Sequence, residues 1–163
     1  MNSKIKPLRE VLRLRRRLEK AKKKVVFTNG CFDILHFGHV AYLRKAKREG
    51  DFLIVGLNSD ASVRRLKGPG RPVNRLRDRA EVLSELRSVD CVTVFGQETP
   101  LRLIGAIKPD VLVKGADWVL DKIAGRGVVE AYGGVVKRVP LVPGRSTSAT
   151  LRKLASGTRA GRR

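Results

Sequence analysis

Short β-branched or aromatic runs alternate with helically patterned stretches along most of this 163-residue chain, and that alternation restricts the fold more than any other feature. Strands are expected at Val25 to Thr28, Phe52 to Leu57, Cys91 to Phe95, Val111 to Val113 and Val135 to Val139. Between them, helical spacing predicts one helix that begins at the histidines and runs to about Glu49, and another opened by Asn58 and Ser59. Gly68 to Gly70 break the chain before a helix from Arg75 to Arg87 with Asn74 as its N-cap. Further helices are expected at Leu101 to Ile107, ending before Pro109, at Asp121 to Tyr132, and from about Ser146. Such an order builds parallel β-α-β units, and so an α/β domain with an open, doubly wound parallel sheet. Ligands of such sheets bind at the carboxyl ends of strands, where the strand order reverses.

The chemistry-bearing residues fall at those ends. The chain has two histidines, His36 and His39, and both lie in Asn29-Gly30-Cys31-Phe32-Asp33-Ile34-Leu35-His36-Phe37-Gly38-His39, where the first strand turns into a helix. Unpaired amides and the positive end of the helix dipole meet there, which favours an anion, and two imidazoles add donors that follow charge as it builds on a phosphoryl group. Gly38 leaves room for a close ligand. A single histidine in such a place is more often a cap or a surface residue, but the pairing in one His-x-Gly-His argues for function.

Composition sets limits on the partners. No apolar stretch approaches the roughly 20 residues of a membrane span, and the basic N-terminus lacks an apolar signal core, so a cytoplasmic protein without membrane insertion is expected. Cys31 and Cys91 form no Cys-x-x-Cys pair, which leaves packing as their expected role. The formal net charge is +21, concentrated at the ends: residues 1–24 hold eleven basic and two acidic residues, and 152–163 hold five basic and none acidic. Ile5, Leu8, Val11, Leu12 and Leu18 give residues Lys6 to Lys22 a partial apolar stripe, the mark of a basic amphipathic helix lying on the body. A basic nucleic-acid-binding module is an alternative reading, but the ends carry no interleaved aromatics for stacking, so nucleic acid is not an expected partner.

Four segments, TNGCFDILHFGH, GLNSDASVRRLKGPGRPVN with DRAEVL, KPDVLVKGADW and GGVVKRVPLVPGRSTS, together resemble the adenylyltransferases of ADP-heptose synthesis, within the nucleotidylyltransferase superfamily. The resemblance spans about residues 25 to 151 and implies a Rossmann-like, cytidylyltransferase-like fold. It further implies that D-glycero-D-manno-heptose 1-phosphate reacts with ATP to give ADP-heptose and pyrophosphate, for the lipopolysaccharide core. Another transferase of the same fold, such as a glycerol-3-phosphate cytidylyltransferase or an FAD synthetase, is the nearest alternative. The expected organisation is a basic extension over 1–24, a nucleotidylyltransferase domain over 25–156 and a basic tail over 157–163. A separate heptose kinase and a homodimer are the expected partners.

The resemblance assigns His36, His39 and Lys67 to catalysis. It assigns the nucleotide to Asn29, Gly30, Cys31, Phe32, Gly38 and His39, to Lys114, Gly115 and Asp117, and to Ser146, Thr147 and Ser148. Arg145 adds a guanidinium to the free amides of that last helix start, suited to the β- and γ-phosphates, with plain helix capping as the competing role. Ser148 stands where the family signature has threonine, and Arg152 is the stand-in for an arginine of the cytidylyltransferase pattern. Asp33, Lys67, Arg71 and Trp118 are expected at the sugar phosphate, against surface charge for Arg71 and core packing for Trp118. Mg²⁺ is expected to arrive with ATP, held by phosphate and water, with no protein ligand set.

Overall fold

The computed structural model describes residues 3–145, 147 and 151. Five strands, β1 (Val25–Gly30), β2 (Phe52–Asn58), β3 (Cys91–Phe95), β4 (Val111–Gly115) and β5 (Val135–Val139), form one all-parallel sheet in the order β3-β2-β1-β4-β5. The order reverses between β1 and β4, as the alternation of the sequence predicts for a doubly wound sheet. The helices are α1 (Leu8–Lys20), α2 (Phe37–Lys47), α3 (Asp60–Lys67), α4 (Leu76–Ser84), α5 (Leu101–Ile107) and α6 (Arg126–Ala131). Among the described residues no helix is long and apolar enough to cross a membrane.

Both faces of the sheet are covered, so the central strands read as nearly continuous apolar runs, buried except at Phe52 and at the Asn29–Gly30 end of β1. One layer packs Tyr42, Leu43 and Ala46 of α2 and Ala80 and Leu83 of α4 on Val26, Leu53 and Val113. The other packs Val11 of α1, Leu103, Ile104 and Ile107 of α5 and Val129 of α6 on Phe27, Ile54 and Leu112. The basic leader is therefore a core element on one side: Val11 is fully buried, and Leu12, Leu14 and Leu18 pack with it. Ile5 bridges to Val92, extending the sheet edge beyond β3.

Several elements depart from the expectations. The helix expected at Asp121 to Tyr132 is a 3-10 turn, Leu120–Lys122, and a separate α6, because Gly125 at φ +93° turns the chain between them. Asn74 does not cap α4: Arg75 takes the cap position without a side-chain bond, and Asp60 on α3 accepts from the first-turn amide of Leu76 at 3.2 Å. β1 and β4 each run two residues past their expected ends, to Gly30 and Gly115. The final helix falls largely outside the described residues.

Aspartates fasten the amino ends of the strands. Asp110 accepts from the Val25 amide at 2.7 Å and pairs with Arg15 of α1 at 3.2 Å, while Asp90 accepts from the Leu53 amide at 2.7 Å. Asp110→Ala strips a charged acceptor from a strand amide and from Arg15, and is expected to lower unfolding free energy by about 1–3 kcal/mol in urea melts. A change within about 0.5 kcal/mol would show that these staples do not carry the strand ends.

Candidate active site

Beyond Phe27 and Leu112 the two strands at the switch point part, since β1 pairs with β2 as far as Gly30 but with β4 only over Val26 and Phe27. Side chains replace the lost backbone rungs. The buried Tyr42 hydroxyl donates to the Val113 carbonyl at 3.1 Å and shares a 2.7 Å bond with Thr28. One step nearer the strand ends, the Lys114 ammonium donates to the Asn29 amide oxygen.

Past Gly30 the chain turns so tightly that Phe32 adopts φ +41°, and its ring is buried against Gly30, where a Cβ would meet it at 2.9 Å. The Phe32 ring then meets His39 edge-on at 5.3 Å. His36 takes the extended cap position of α2 with no side-chain cap bond, and its carbonyl accepts from the His39 amide at 2.9 Å. The two imidazoles stack, with centroids 3.9 Å apart and planes 24° apart. Gly38 permits this: a Cβ there would meet the His36 ring at 2.9 Å and Arg145 at 3.1 Å.

Electrostatics keep both rings neutral near pH 7. Burial, with the charges of His36 and Lys67, pushes His39 down to about 4, and burial with Arg145 also lowers His36. Both Nδ1 atoms are buried without a hydrogen-bond partner among the described residues. Each neutral ring retains one N–H to donate, and an arriving polyanion favours its protonation. Lys114, only 7% exposed, is pushed down to about 8 by burial, partly opposed by Asp117.

The β2 side of the crevice carries fixed cations. Asp33 is 3% exposed, and its carboxylate pairs with Arg71 at 2.7 Å while accepting from the Val73 and Asn74 amides at 2.8 and 3.0 Å. Its oxygens are thus spent on positioning Arg71 and the 71–74 segment. Lys67 closes α3, exposed and near enough for its charge to act on both His39 and Cys31. Arg65 instead donates to the Gly96 carbonyl at 2.5 Å, away from the histidines.

Sequence reasoning missed Arg79, whose side chain is fully buried. It donates to the Cys31 carbonyl at 2.6 Å and the Asn74 carbonyl at 3.1 Å, and pairs with Asp60 at 2.7 Å. Asn74, expected as a cap, donates instead to the Asp33 carbonyl at 2.6 Å. The DRAEVL segment offers one signal, an arginine one residue before the buried Ala80 and three before exposed Val82, but its tertiary partners lie far away in sequence. Asn58, Ser59 and Asp60 also prove internal: Asn58 bonds Ser62, Ser59 caps α3, and Asp60 serves Arg79 and α4.

On the β4 side, Gly115 is buried where a Cβ would run into the Asp117 carboxylate and Leu141. Trp118 is 48% exposed with Lys114 Nζ 5.5 Å from its ring centroid, so it lines the crevice rather than packing in the core. Burial pushes the Cys31 thiol up, which removes it as a ready nucleophile. Thr147 reaches the Ile34 carbonyl at 3.5 Å, which brings the segment after Gly144 to the histidine loop, while Ser146, Ser148 and Arg152 lie outside the described residues. Among the described residues no group of three His, Cys, Asp or Glu side chains forms a metal-ligand set. The arrangement suits a polyphosphate lying across α2's N-terminus, with a second anion toward Lys67 and Arg71.

Comparison with known proteins fits this geometry. The cytidylyltransferase-like family model matches residues 27–159. The chain is 60% identical over 134 residues to the bifunctional protein HldE of Mesorhizobium japonicum, covering 82% of this chain and 27% of that protein. It is 52% identical over 147 residues to HldE of Syntrophotalea carbinolica, covering 90% and 29% respectively, so it spans less than a third of these relatives' length. A solved lipopolysaccharide core biosynthesis protein from Thermoplasma volcanium superposes with a TM-score of 0.61 at 29% identity, over 74% of this chain and 97% of that one. With a parallel sheet reversing at β1 and β4, paired histidines at the reversal and a family match across the whole crevice, this chain belongs to the cytidylyltransferase-like family.

Proposed function

We propose that this protein transfers the adenylyl group of ATP to D-glycero-D-manno-heptose 1-phosphate, giving ADP-heptose and pyrophosphate for lipopolysaccharide core assembly. The observation that carries the reading is the stacked His36–His39 pair at a helix N-terminus, with Lys67 near enough for its charge to act on His39 and Lys114 bonded to Asn29 at the end of the strand that leads into the histidine loop. The four motif segments that resemble heptose adenylyltransferases supply the substrate class, and the identity to HldE proteins supports it. ATP enters with its Mg²⁺ as one substrate, the ion held by phosphate and water.

A phosphate oxygen of the sugar attacks the α-phosphorus in line. The bond to the bridging oxygen breaks, and that oxygen leaves with the electron pair as part of pyrophosphate. No proton needs to be removed from the ionised attacking phosphate, so catalysis is positioning and charge stabilisation. His36, His39 and the α2 amides hold the α-phosphate as negative charge spreads over its oxygens. Lys67 and Arg71 hold the sugar phosphate, with Arg71 set by Asp33. Asn29, Gly30, Gly115, Asp117 and Lys114 line the nucleotide side, and Trp118 offers an exposed ring at its rim. A separate kinase that phosphorylates the anomeric hydroxyl is the expected source of the 1-phosphate, and the cytoplasm, where ATP is available, is the expected compartment. A second copy of the chain completes the expected assembly.

Pyrophosphate release tests the substrate assignment. Release is expected with ATP and heptose 1-phosphate and not with CTP and glycerol 3-phosphate, and the reverse pattern overturns it. Lys114 supplies a pH signature. Its amine is charged below about 8 and loses its proton as pH rises through that value, so nucleotide affinity is expected to fall between pH 7 and 9. Titration calorimetry across that range should show the fall in the native protein and its loss in Lys114→Met; a pH-independent affinity would remove Lys114 from the nucleotide's charge contacts.

A further inference from the structure

The outer face of α1 serves neither the core nor the crevice. At about 100° per residue, Arg9, Arg13, Arg16, Arg17 and Lys20 fall within an arc of roughly 100° centred opposite the buried Val11. All five are exposed, and among the described residues none of their side chains has an ion-pair or hydrogen-bond partner. The contrast is Arg15, which points to the body, pairs with Asp110 and donates to the Lys108 carbonyl at 3.2 Å. Glu10 is tied to Lys6, and Glu19 lies at the flank, so the arc itself holds only cations.

Cations three and four residues apart on one helix face repel, and the packing of Val11, Leu14 and Leu18 does not require them. The arc is straight, about 16 Å from Arg9 to Lys20, and convex. It carries no aromatic to stack on a base and no Asn or Gln to read one. It does carry guanidinium groups suited to paired contacts with phosphate oxygens. We propose that this face of α1 docks the protein on the surface of an anionic lipid bilayer, its arginines on headgroup phosphates. The chain leaves α1 to enter β1 at its amino end, whereas His36 and His39 follow the carboxyl end, so a docked molecule keeps its crevice open to solvent.

Co-sedimentation of the full chain with phosphatidylcholine vesicles, and with vesicles containing a quarter phosphatidylglycerol, tests this. Retention is expected only on the anionic vesicles, falling steeply with added salt. Changing Arg9, Arg13, Arg16 and Arg17 together to Gln, which preserves helix propensity, should lower the bound fraction about tenfold or more with the melting temperature kept. The basic tail provides the control, and Arg159, Arg162 and Arg163→Gln should leave retention in place. Equal retention on neutral vesicles, retention that survives the α1 changes, loss caused by the tail changes, or stripping from vesicles by transfer RNA at equal phosphate concentration each overturns the proposal.

Discussion

The crevice opens where β1 and β4 part after Phe27 and Leu112. In a continuous sheet the next rungs would be backbone hydrogen bonds; here they are the Tyr42 hydroxyl on Thr28 and Val113, and Lys114 on Asn29. The substitution opens space between strands whose ends would otherwise be closed, and it puts a lysine where a ladder would leave only carbonyls and amides. The Lys114 ammonium is costly to bury unpaired, so Asn29 and Asp117 hold it ready for a more negative partner.

Arg79 sets the second wall. A guanidinium with no exposed side-chain surface must find acceptors for its donors, and those acceptors belong to the histidine loop, the 71–74 segment and α3. Asp33 then ties the same loop to Arg71. The loop that presents the histidines and the segment that carries Arg71 are therefore fixed by one buried polar cluster, which couples the fold of α4 to the precision of the site. Neutral imidazoles complete the logic: two imidazolium rings stacked at 3.9 Å would repel, and the free protein avoids this by keeping both unprotonated near pH 7.

Much of this was legible in the sequence where the signal is local. β3, α5 and β5 fall at their expected bounds because turn formers and Pro109 delimit them, and the His-x-Gly-His turn announces its own geometry. The motif ends at Asn29, Lys114 and Trp118 arrive together because a doubly wound sheet gathers strand ends. What the sequence concealed is long-range. Asn74 reads as a cap until Asp33 claims it, Arg79 reads as one more charge on a helix until Cys31 and Asp60 surround it, and Gly125 divides a helix whose apolar pattern runs on. Thr147, expected at the same nucleotide site from its motif, reaches the histidine loop from 113 residues away, although its partner there has no local signature.

The central claim is that the stacked histidines stabilise the transferring phosphoryl group rather than merely bind nucleotide. Steady-state turnover of His39→Ala, measured beside its ATP dissociation constant, tests it most directly. A kcat lowered about 10²–10³-fold is expected, with ATP affinity held within a few-fold. A variant that turns over at near-normal rate, or one that loses affinity and rate in equal measure, would contradict it.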